Sequence, residues 1–180
     1  SLTVSTFTAR FRSQLVREAQ QSRRMGALLE ASQFLLQAST PEGIFQGVSR
    51  QLHNILDRTL LLWIRSEEGY RAPEQIGEPK AETAQALRQA GPALLAFLEE
   101  HRGESRALFR EGDLAVSLYF LRFQEVDYGV LGVVLPAGKD LAPDEANLLQ
   151  AILDESTLAL ERYQLAMTNQ HILMEAEAER

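Results

Sequence analysis

No residue that typically ends a helix occurs between residues 144 and 180, because this stretch contains neither proline nor glycine. Pro143 and the two acidic residues after it are typical of a first helical turn, where the helix dipole favours negative charge. Residues 9–39 also lack proline and contain one glycine, Gly26. The pattern predicts helices of about 30 and about 38 residues at the two ends, longer than most helices of globular domains. The compact core must therefore be built mainly from the residues between them.

The apolar residues of both terminal helices recur in steps of four and three, as they do where helices pack side by side. We therefore expect a parallel homodimer in which these helices pair across a two-fold axis. Four positions weaken this seam and favour a packing that switches between two registers or rotations, namely Ser22, Gly26, Ser156 and Gln170. The seam positions are Leu29, Leu36, Leu149, Leu153, Ser156, Leu160, Tyr163 and Met167.

The sequence between the terminal helices predicts two further helices and an antiparallel sheet. Thr40 and Pro41 are typical of an N-cap and a first helical residue, and the helix they begin continues to Leu56. A second helix is predicted at residues 80–101, in one piece or in two, because Gly91 and Pro92 fall in its middle. The strands are predicted at residues 60–64, 70–72, 107–110, 117–124 and 130–135, with a hairpin loop of about five residues at 125–129.

Two of these strands, at residues 60–64 and 130–135, are apolar almost throughout, whereas a sheet with one wet face alternates apolar and polar residues. Both faces of the sheet must then be covered, one by the terminal helices and the other by the helix at residues 80–101. The fold class predicted is α+β. The divisions are a signalling helix (1–39), an α+β core (40–142), and a C-terminal helix (143–180) that packs on the sheet and extends as a coiled coil.

Charge is distributed unevenly along the chain. The net charge is −7, which argues against nucleic acid as a partner, yet the first 24 residues carry +4. The basic residues Arg10, Arg12 and Arg17 suit either a solvated helix face or the cytoplasmic flank of a membrane helix upstream of this chain. No apolar run reaches the roughly 18 residues that a membrane span needs.

No set of residues typical of catalysis or metal binding is found. The chain has no cysteine, which excludes disulfides, thiolate metal sites, cysteine nucleophiles and thioether-linked chromophores. His53, His101 and His171 are scattered and lack a second histidine at metal-ligand spacing. A phosphate-binding loop is also absent. We therefore predict no catalytic residue, no metal and no cofactor.

A covered sheet often leaves a pocket beneath the connecting helix, and strand residues suggest what lines it. Aromatic side chains would form its walls, and arginines would receive an anionic ligand. The alternative is that the aromatic residues are core and the arginines are surface. The candidates are Trp63, Arg65, Arg110, Tyr119, Arg122 and Phe123.

The predicted order of elements resembles the GAF domain, a small-molecule and signal-relay module of sensor proteins. The two ends are similar to Kdp-type potassium sensor histidine kinases (KdpD). The segments that carry this resemblance are FTARFRSQ at 7–14, LLEASQFL at 28–35, GVLGV at 129–133, LALER at 158–162 and EAEAER at 175–180.

The resemblance implies a relay domain at the cytoplasmic side of the bacterial inner membrane, linked to membrane helices upstream and to the kinase core downstream. It favours the membrane-flanking interpretation of the arginines.

No histidine is followed by the acid and proline of a phosphoacceptor box, so the chain is expected not to be an enzyme. The cyclic-nucleotide signature of some GAF domains is missing. The alternatives are a GAF domain that binds an unidentified cytosolic small molecule and, less favoured, a free-standing enzyme or unrelated α+β protein.

Overall fold

The computed structural model describes residues 2–37, 40–135 and 139–180. None of the helices in these ranges is both long and apolar enough to cross a membrane. The helices are α1 (Leu2–Gln37), α2 (Pro41–Leu56), α3 (Ala81–Glu100) and α4 (Pro143–Ala178), and the strands are β1 (Leu60–Ser66), β2 (Gly69–Tyr70), β3 (Glu74–Ile76), β4 (Arg106–Glu111), β5 (Leu114–Phe123) and β6 (Val126–Leu135).

The strands form an antiparallel sheet in the order β2-β1-β6-β5-β4, with β3 also paired to β1. The central strands β1, β6 and β5 are buried along most of their length. On one face, α2 and α4 pack over residues such as Leu62 and Leu131. On the other face, α3 packs over Trp63 and Val116. The predicted α+β arrangement with both faces covered is therefore confirmed.

The start of α2 follows the predicted capping pattern. The side chain of Thr40 accepts a hydrogen bond from the backbone N–H of Gly43 at 3.1 Å, and Pro41 occupies the first turn, where no N–H donor is required. Asp57 ends the helix in the left-handed conformation, at φ 51°. This end directs the chain into β1 after a short connection. The predicted division into three parts at residues 40 and 143 stays a prediction.

The helix α3 runs without a break through Pro92. Its buried residues Leu87, Ala90, Leu94 and Leu98 lie on both sides of the proline and form one stripe against the sheet. Burying a leucine contributes about 1.5–3 kcal/mol, so three leucines outweigh the roughly 3 kcal/mol that an interior proline costs. The option of two separate helices is therefore wrong.

The hairpin between β5 and β6 differs from the predicted five-residue loop. Its turn consists of Gln124 and Glu125 alone, both with positive φ (47° and 66°). Two-residue turns with positive φ match the twist of the flanking strands, whereas ordinary type I and type II turns would splay them. Gly129, expected at the exit of the loop, lies inside β6, where a Cβ would collide with the backbone carbonyl oxygen of Trp63.

Candidate functional site

A cavity of about 650 Å³ lies between the sheet and α3. Leu61 and Trp63 of β1 contribute its floor, and Leu87 and Leu94 of α3 contribute the facing wall. A Cβ at Gly91 would meet no atom within 4 Å, so this helical glycine adds open space to the cavity. The volume is within the range of small-molecule sites, which is roughly 300–1,000 Å³. We call this space the α3 cavity.

The charge at the α3 cavity is positive. Arg71 and Arg88 line it, and none of the described lining residues is acidic. The Nη1 atom of Arg71 lies 3.8 Å from Oε1 of Glu42, but both side chains are exposed, so this pair is weak. An apolar cavity with two guanidinium groups suits a ligand that has an apolar body and an anionic group.

Tyr70 forms one side of the α3 cavity and is held by polar contacts. Its hydroxyl donates a hydrogen bond to Oδ2 of Asp127 at 2.6 Å, and the guanidinium of Arg65 lies 4.7 Å from the centre of its ring. Arg65 in turn donates to Oε1 of Glu99 at 2.7 Å. Burial of Tyr70 and its hydrogen bond to the Asp127 carboxylate raise the pKa of the phenol above its usual range. These contacts direct the Tyr70 hydroxyl at Asp127 and place its ring beside Arg65 at the wall of the cavity.

The structure divides the predicted pocket residues between the two faces of the sheet. Trp63 pairs with Val130, and Tyr119 pairs with Leu131. Because consecutive residues of β6 point to opposite faces, Trp63 lies at the α3 cavity and Tyr119 lies beneath α2 and α4. The six candidates therefore do not form one pocket.

The other predicted pocket residues have separate surroundings. Arg65 is paired with Glu99. Arg110 is exposed on β4, outside the α3 cavity. Phe123 is half-buried and packs against the core beneath α2 and α4. Arg122 lines a cleft on the same side as Tyr119.

That cleft, of about 230 Å³, lies between β5 and α4. Arg106 lies 5.0 Å from the ring centre of Tyr119, and the Tyr119 hydroxyl has no hydrogen-bond partner. This hydroxyl has less than 1 Å² of accessible surface, so a molecule in the cleft would not reach it. The α3 cavity is the better candidate site.

Half of the predicted dimer seam lies in the core of its own chain. Leu149, Leu153 and Leu160 are buried against the sheet, and so is Ser156, whose hydroxyl donates to the carbonyl oxygen of Ile152 at 2.9 Å. Because they are buried, these positions are unavailable to a partner. The sequence did not reveal this, since a helix packed on its own sheet shows the same spacing of apolar residues as a helix in a coiled coil.

The described remainder of the seam, Leu29, Tyr163 and Met167, is not among the fully buried residues. Tyr163 is half-buried, and Met167 and Leu29 are exposed. The side chain of Leu36 lies outside the described residues. The predicted basic residues Arg10, Arg12 and Arg17 are exposed on α1. For the exposed positions, pairing with a second copy stays a prediction.

The three histidines have local partners. Nδ1 of His53 lies 2.8 Å from the carbonyl oxygen of Arg58, and Nδ1 of His101 lies 2.9 Å from that of Phe97. His171 lies one helical turn from Glu175, at 3.0 Å. Within residues 2–37, 40–135 and 139–180, no three histidine or acidic side chains gather as metal ligands would.

Sequence reasoning missed Tyr70, Arg71, Arg88 and Asp127. Arg71 precedes Ala72 and Pro73, and a proline after a short strand is a signal that the chain leaves the sheet and can line a cavity. Arg88 lies one helical turn before Pro92 on the helix expected to cover the sheet. For Tyr70 and Asp127 no such signal exists, since 57 residues separate them.

No family model and no curated protein sequence matches the chain. Solved structures show its fold. A GAF domain assigned to a sensor histidine kinase from Pseudomonas syringae pv. tomato has a TM-score of 0.56 and 18% identity, covering 92% of this chain and 99% of that one. The fRMsr of Staphylococcus aureus, solved in complex with substrate, has a TM-score of 0.52 and 11% identity, covering 76% and 95%.

The GAF domain of the potassium sensor histidine kinase KdpD from Escherichia coli is also similar, with 16% identity over 80% of this chain and 97% of that one. Its TM-score of 0.46 is too low to set it apart within the fold. The chain therefore has the GAF fold, and similarity at these identities extends no further than the fold.

Proposed function

We propose that this chain is a signal-relay domain of a membrane-bound sensor histidine kinase of the Kdp type, which responds to potassium or osmotic stress. In this proposal it lies at the cytoplasmic side of the bacterial inner membrane and is not itself an enzyme. Membrane helices precede α1, and the kinase core follows α4. The resemblance of the two sequence ends to Kdp-type kinases supports this assignment, and the GAF fold is compatible with it.

One observation carries the relay proposal. The helix α4 is continuous from Pro143 to Ala178, yet its first half is core and its second half is almost entirely exposed. A rigid helix that begins in the core transfers any rotation of the core to whatever follows it. The helix α1 packs against both α2 and α4. In this proposal, the helix that receives the signal is therefore in direct contact with the helix that transmits it.

The terminal helices also support the proposed parallel homodimer. Exposed apolar side chains continue along α1 and the second half of α4, beyond the part that the core covers. A partner that covers them would remove this apolar surface from water. The residues are Phe11, Leu15, Met25, Leu29, Leu165, Met167, Ile172 and Met174.

The relay is tested by changing the phase of α4 in the full-length kinase. Two alanines inserted after Leu165, in the exposed half of α4, rotate the downstream helix by about 200°, whereas seven rotate it by only about 20° from its original direction. We expect the two-residue insertion to abolish the response of autophosphorylation to potassium. The seven-residue insertion, the matched control, should retain it. Equal responses from both insertions would show that helix phase carries no signal.

A second candidate function is the binding of a cytosolic regulator, and the α3 cavity favours it. Its apolar walls and the guanidinium groups of Arg71 and Arg88 favour small aromatic or aliphatic carboxylates and nucleotides as ligands. A ligand that binds only the folded chain raises its melting temperature with concentration.

A thermal-shift screen with nucleotides and small carboxylates tests this candidate. A binding compound should lose its effect with Arg88→Gln and keep it with Arg110→Gln, an exposed arginine of β4 that does not line the cavity. If no compound raises the melting temperature, or if both variants respond alike, the α3 cavity is not the site.

A further inference from the structure

The ends of β5 and β6 extend beyond the rest of the sheet. On the side of the hairpin turn, the pairing of β1 with β6 ends at Gly129, and the pairing of β4 with β5 ends at Tyr119, followed by one backbone hydrogen bond from Phe120 to Ser105. Beyond these ladders, Arg122 pairs with Asp127 and Phe123 pairs with Val126, while Tyr128 is the extra residue at the base of this two-stranded ribbon. We call residues 122–128 the hairpin tip. The pairing register shifts between Leu121 and Arg122, at the base of the tip. Irregular pairing of this kind bends a strand and locally disrupts its ladder, so the pairing between the tip and the rest of the sheet is interrupted at this point.

Two consecutive residues attach the hairpin tip to opposite sides of the domain. Oδ2 of Asp127 accepts the hydrogen bond from Tyr70, which lines the α3 cavity. The hydroxyl oxygen of Tyr128 accepts a hydrogen bond at 2.5 Å from Nε2 of Gln164, on α4. Because Asp127 and Tyr128 are adjacent in the chain, a displacement of this short segment acts on both contacts.

The attachment on the cavity side is costly to break. The Asp127 side chain is only 11% exposed, and its Oδ1 is buried without a hydrogen-bond partner. The nearest cation is Arg102, with Nε 3.8 Å from Oδ2. A buried carboxylate that lost the Tyr70 hydrogen bond would have to be resolvated or find another donor. The Tyr70 hydrogen bond therefore stabilises Asp127 in its present position.

The attachment on the helix side lies where α4 leaves the core. Leu160 is buried, and the residues after Gln164 are exposed. The ring of Tyr128 also lies 6.1 Å from that of Phe45 on α2, so it is packed as well as hydrogen-bonded. The hairpin tip thus supports α4 at the last point where the domain holds it.

We propose that the hairpin tip couples the α3 cavity to the exposed half of α4, with Asp127 as a positioning residue for Tyr70. A ligand that displaces Tyr70 would move Asp127, bend the tip at its irregularly paired base and change the hydrogen bond of Tyr128 to Gln164. The regulatory meaning of this coupling rests on the proposed ligand-binding function, but the coupling itself exists without a ligand.

The coupling is tested by amide hydrogen exchange of the full chain, with no ligand present. Tyr70→Phe removes the hydroxyl on the cavity side, and we expect exchange in the turn around Gln164 to increase about two- to tenfold, the equivalent of one ordinary hydrogen bond. The matched control is Tyr119→Phe, which removes a buried hydroxyl that has no partner, from the same sheet. If exchange around Gln164 is the same in both variants, the coupling is absent.

Conservative replacement separates positioning from general destabilisation. Asp127→Asn keeps an oxygen acceptor for Tyr70 and should leave exchange around Gln164 near that of the wild type, whereas Asp127→Ala should raise it as Tyr70→Phe does. In a Tyr128→Phe background, Tyr70→Phe should have no further effect there. If the increases in exchange caused by Tyr70→Phe and by Tyr128→Phe simply add in the double variant, the proposal is wrong. Because these measurements use no ligand, a failed ligand screen leaves them intact, and their failure leaves the ligand screen intact.

Discussion

The indole of Trp63 lies so close to Gly132 on the neighbouring strand that a Cβ at that glycine would be 2.8 Å from ring atom Cζ3. It would also lie 3.0 Å from Cγ1 of Val116. Gly132→Ala must therefore displace the floor of the α3 cavity. We expect the free energy of unfolding to fall by about 1–3 kcal/mol, the usual cost of overpacking a core.

Urea unfolding followed by tryptophan fluorescence measures this effect, because Trp63 is the single tryptophan. The control is Gly26→Ala in α1, where a Cβ would meet nothing within 4 Å. That variant should be neutral or more stable by up to about 1 kcal/mol, since alanine favours a helix. Equal losses in the two variants would contradict the close approach of Trp63 and Gly132.

The raised pKa of Tyr70 predicts alkaline sensitivity. The folded protein keeps the phenol proton above pH 10, the ordinary phenol pKa, whereas the unfolded chain releases it. The stabilisation is therefore complete below about pH 10 and declines as the pH rises beyond it, by up to about 1.4 kcal/mol per pH unit. Urea unfolding from about pH 8 to about pH 11 should show a smaller decline for Tyr70→Phe. If the free energy of unfolding declines equally steeply with pH in the wild type and in Tyr70→Phe, the raised pKa of Tyr70 is not the cause.

Ser156 lies in the core, which changes what its replacement should do. A leucine in the sequence-predicted seam would strengthen a dimer, but Ser156→Leu must enter a filled core and break the hydrogen bond to Ile152. We expect a loss of about 1–3 kcal/mol in the free energy of unfolding. The neighbouring Thr157→Leu, at an exposed position, should change it by about 0.5 kcal/mol or less. Similar losses would mean that α4 is rotated from the orientation described above.

Disulfide cross-linking of variants with a single introduced cysteine tests the dimer. The chain has no cysteine of its own, so every disulfide must form between introduced cysteines. Tyr163→Cys, Met167→Cys and Met174→Cys should form disulfide-linked dimers under mild oxidation if the exposed half of α4 pairs in parallel. Leu160→Cys should not, because Leu160 faces its own sheet. Non-reducing electrophoresis gives the yields. A flat profile across the four positions, or sedimentation as a monomer at high concentration, would exclude the paired helices.

The layers of the fold were predictable because local patterns determine them. Thr40 and Pro41 mark the start of α2, and the apolar runs in β1 and β6 require cover on both faces. The hairpin turn was not predictable, because Gln124 and Glu125 are not the glycine and asparagine that usually adopt positive φ. The prediction placed the end of the loop at Gly129, because glycine is common in turns. The structure shows instead that a glycine is needed there because the Trp63 backbone approaches closely.

The site was harder to predict than the fold. Whether Trp63 and Tyr119 share a face depends on how β1 and β5 align with β6, and the sequence of one strand does not reveal that register. The contact of Tyr70 with Asp127 joins distant parts of the chain. The seam of α4 was ambiguous for a different reason, because steps of four and three suit any partner surface, including the chain's own sheet.

The exposed half of α4 has a mechanical consequence. From residue 161 to Ala178 it is about 27 Å long at 1.5 Å per residue. A tilt of about 5° where the helix leaves the core, too small to open a cavity there, would carry Ala178 sideways by about 2 Å. The sideways displacement at the end of α4 is thus larger than the movement of the core that causes it, and it grows with the number of helical residues after Leu160.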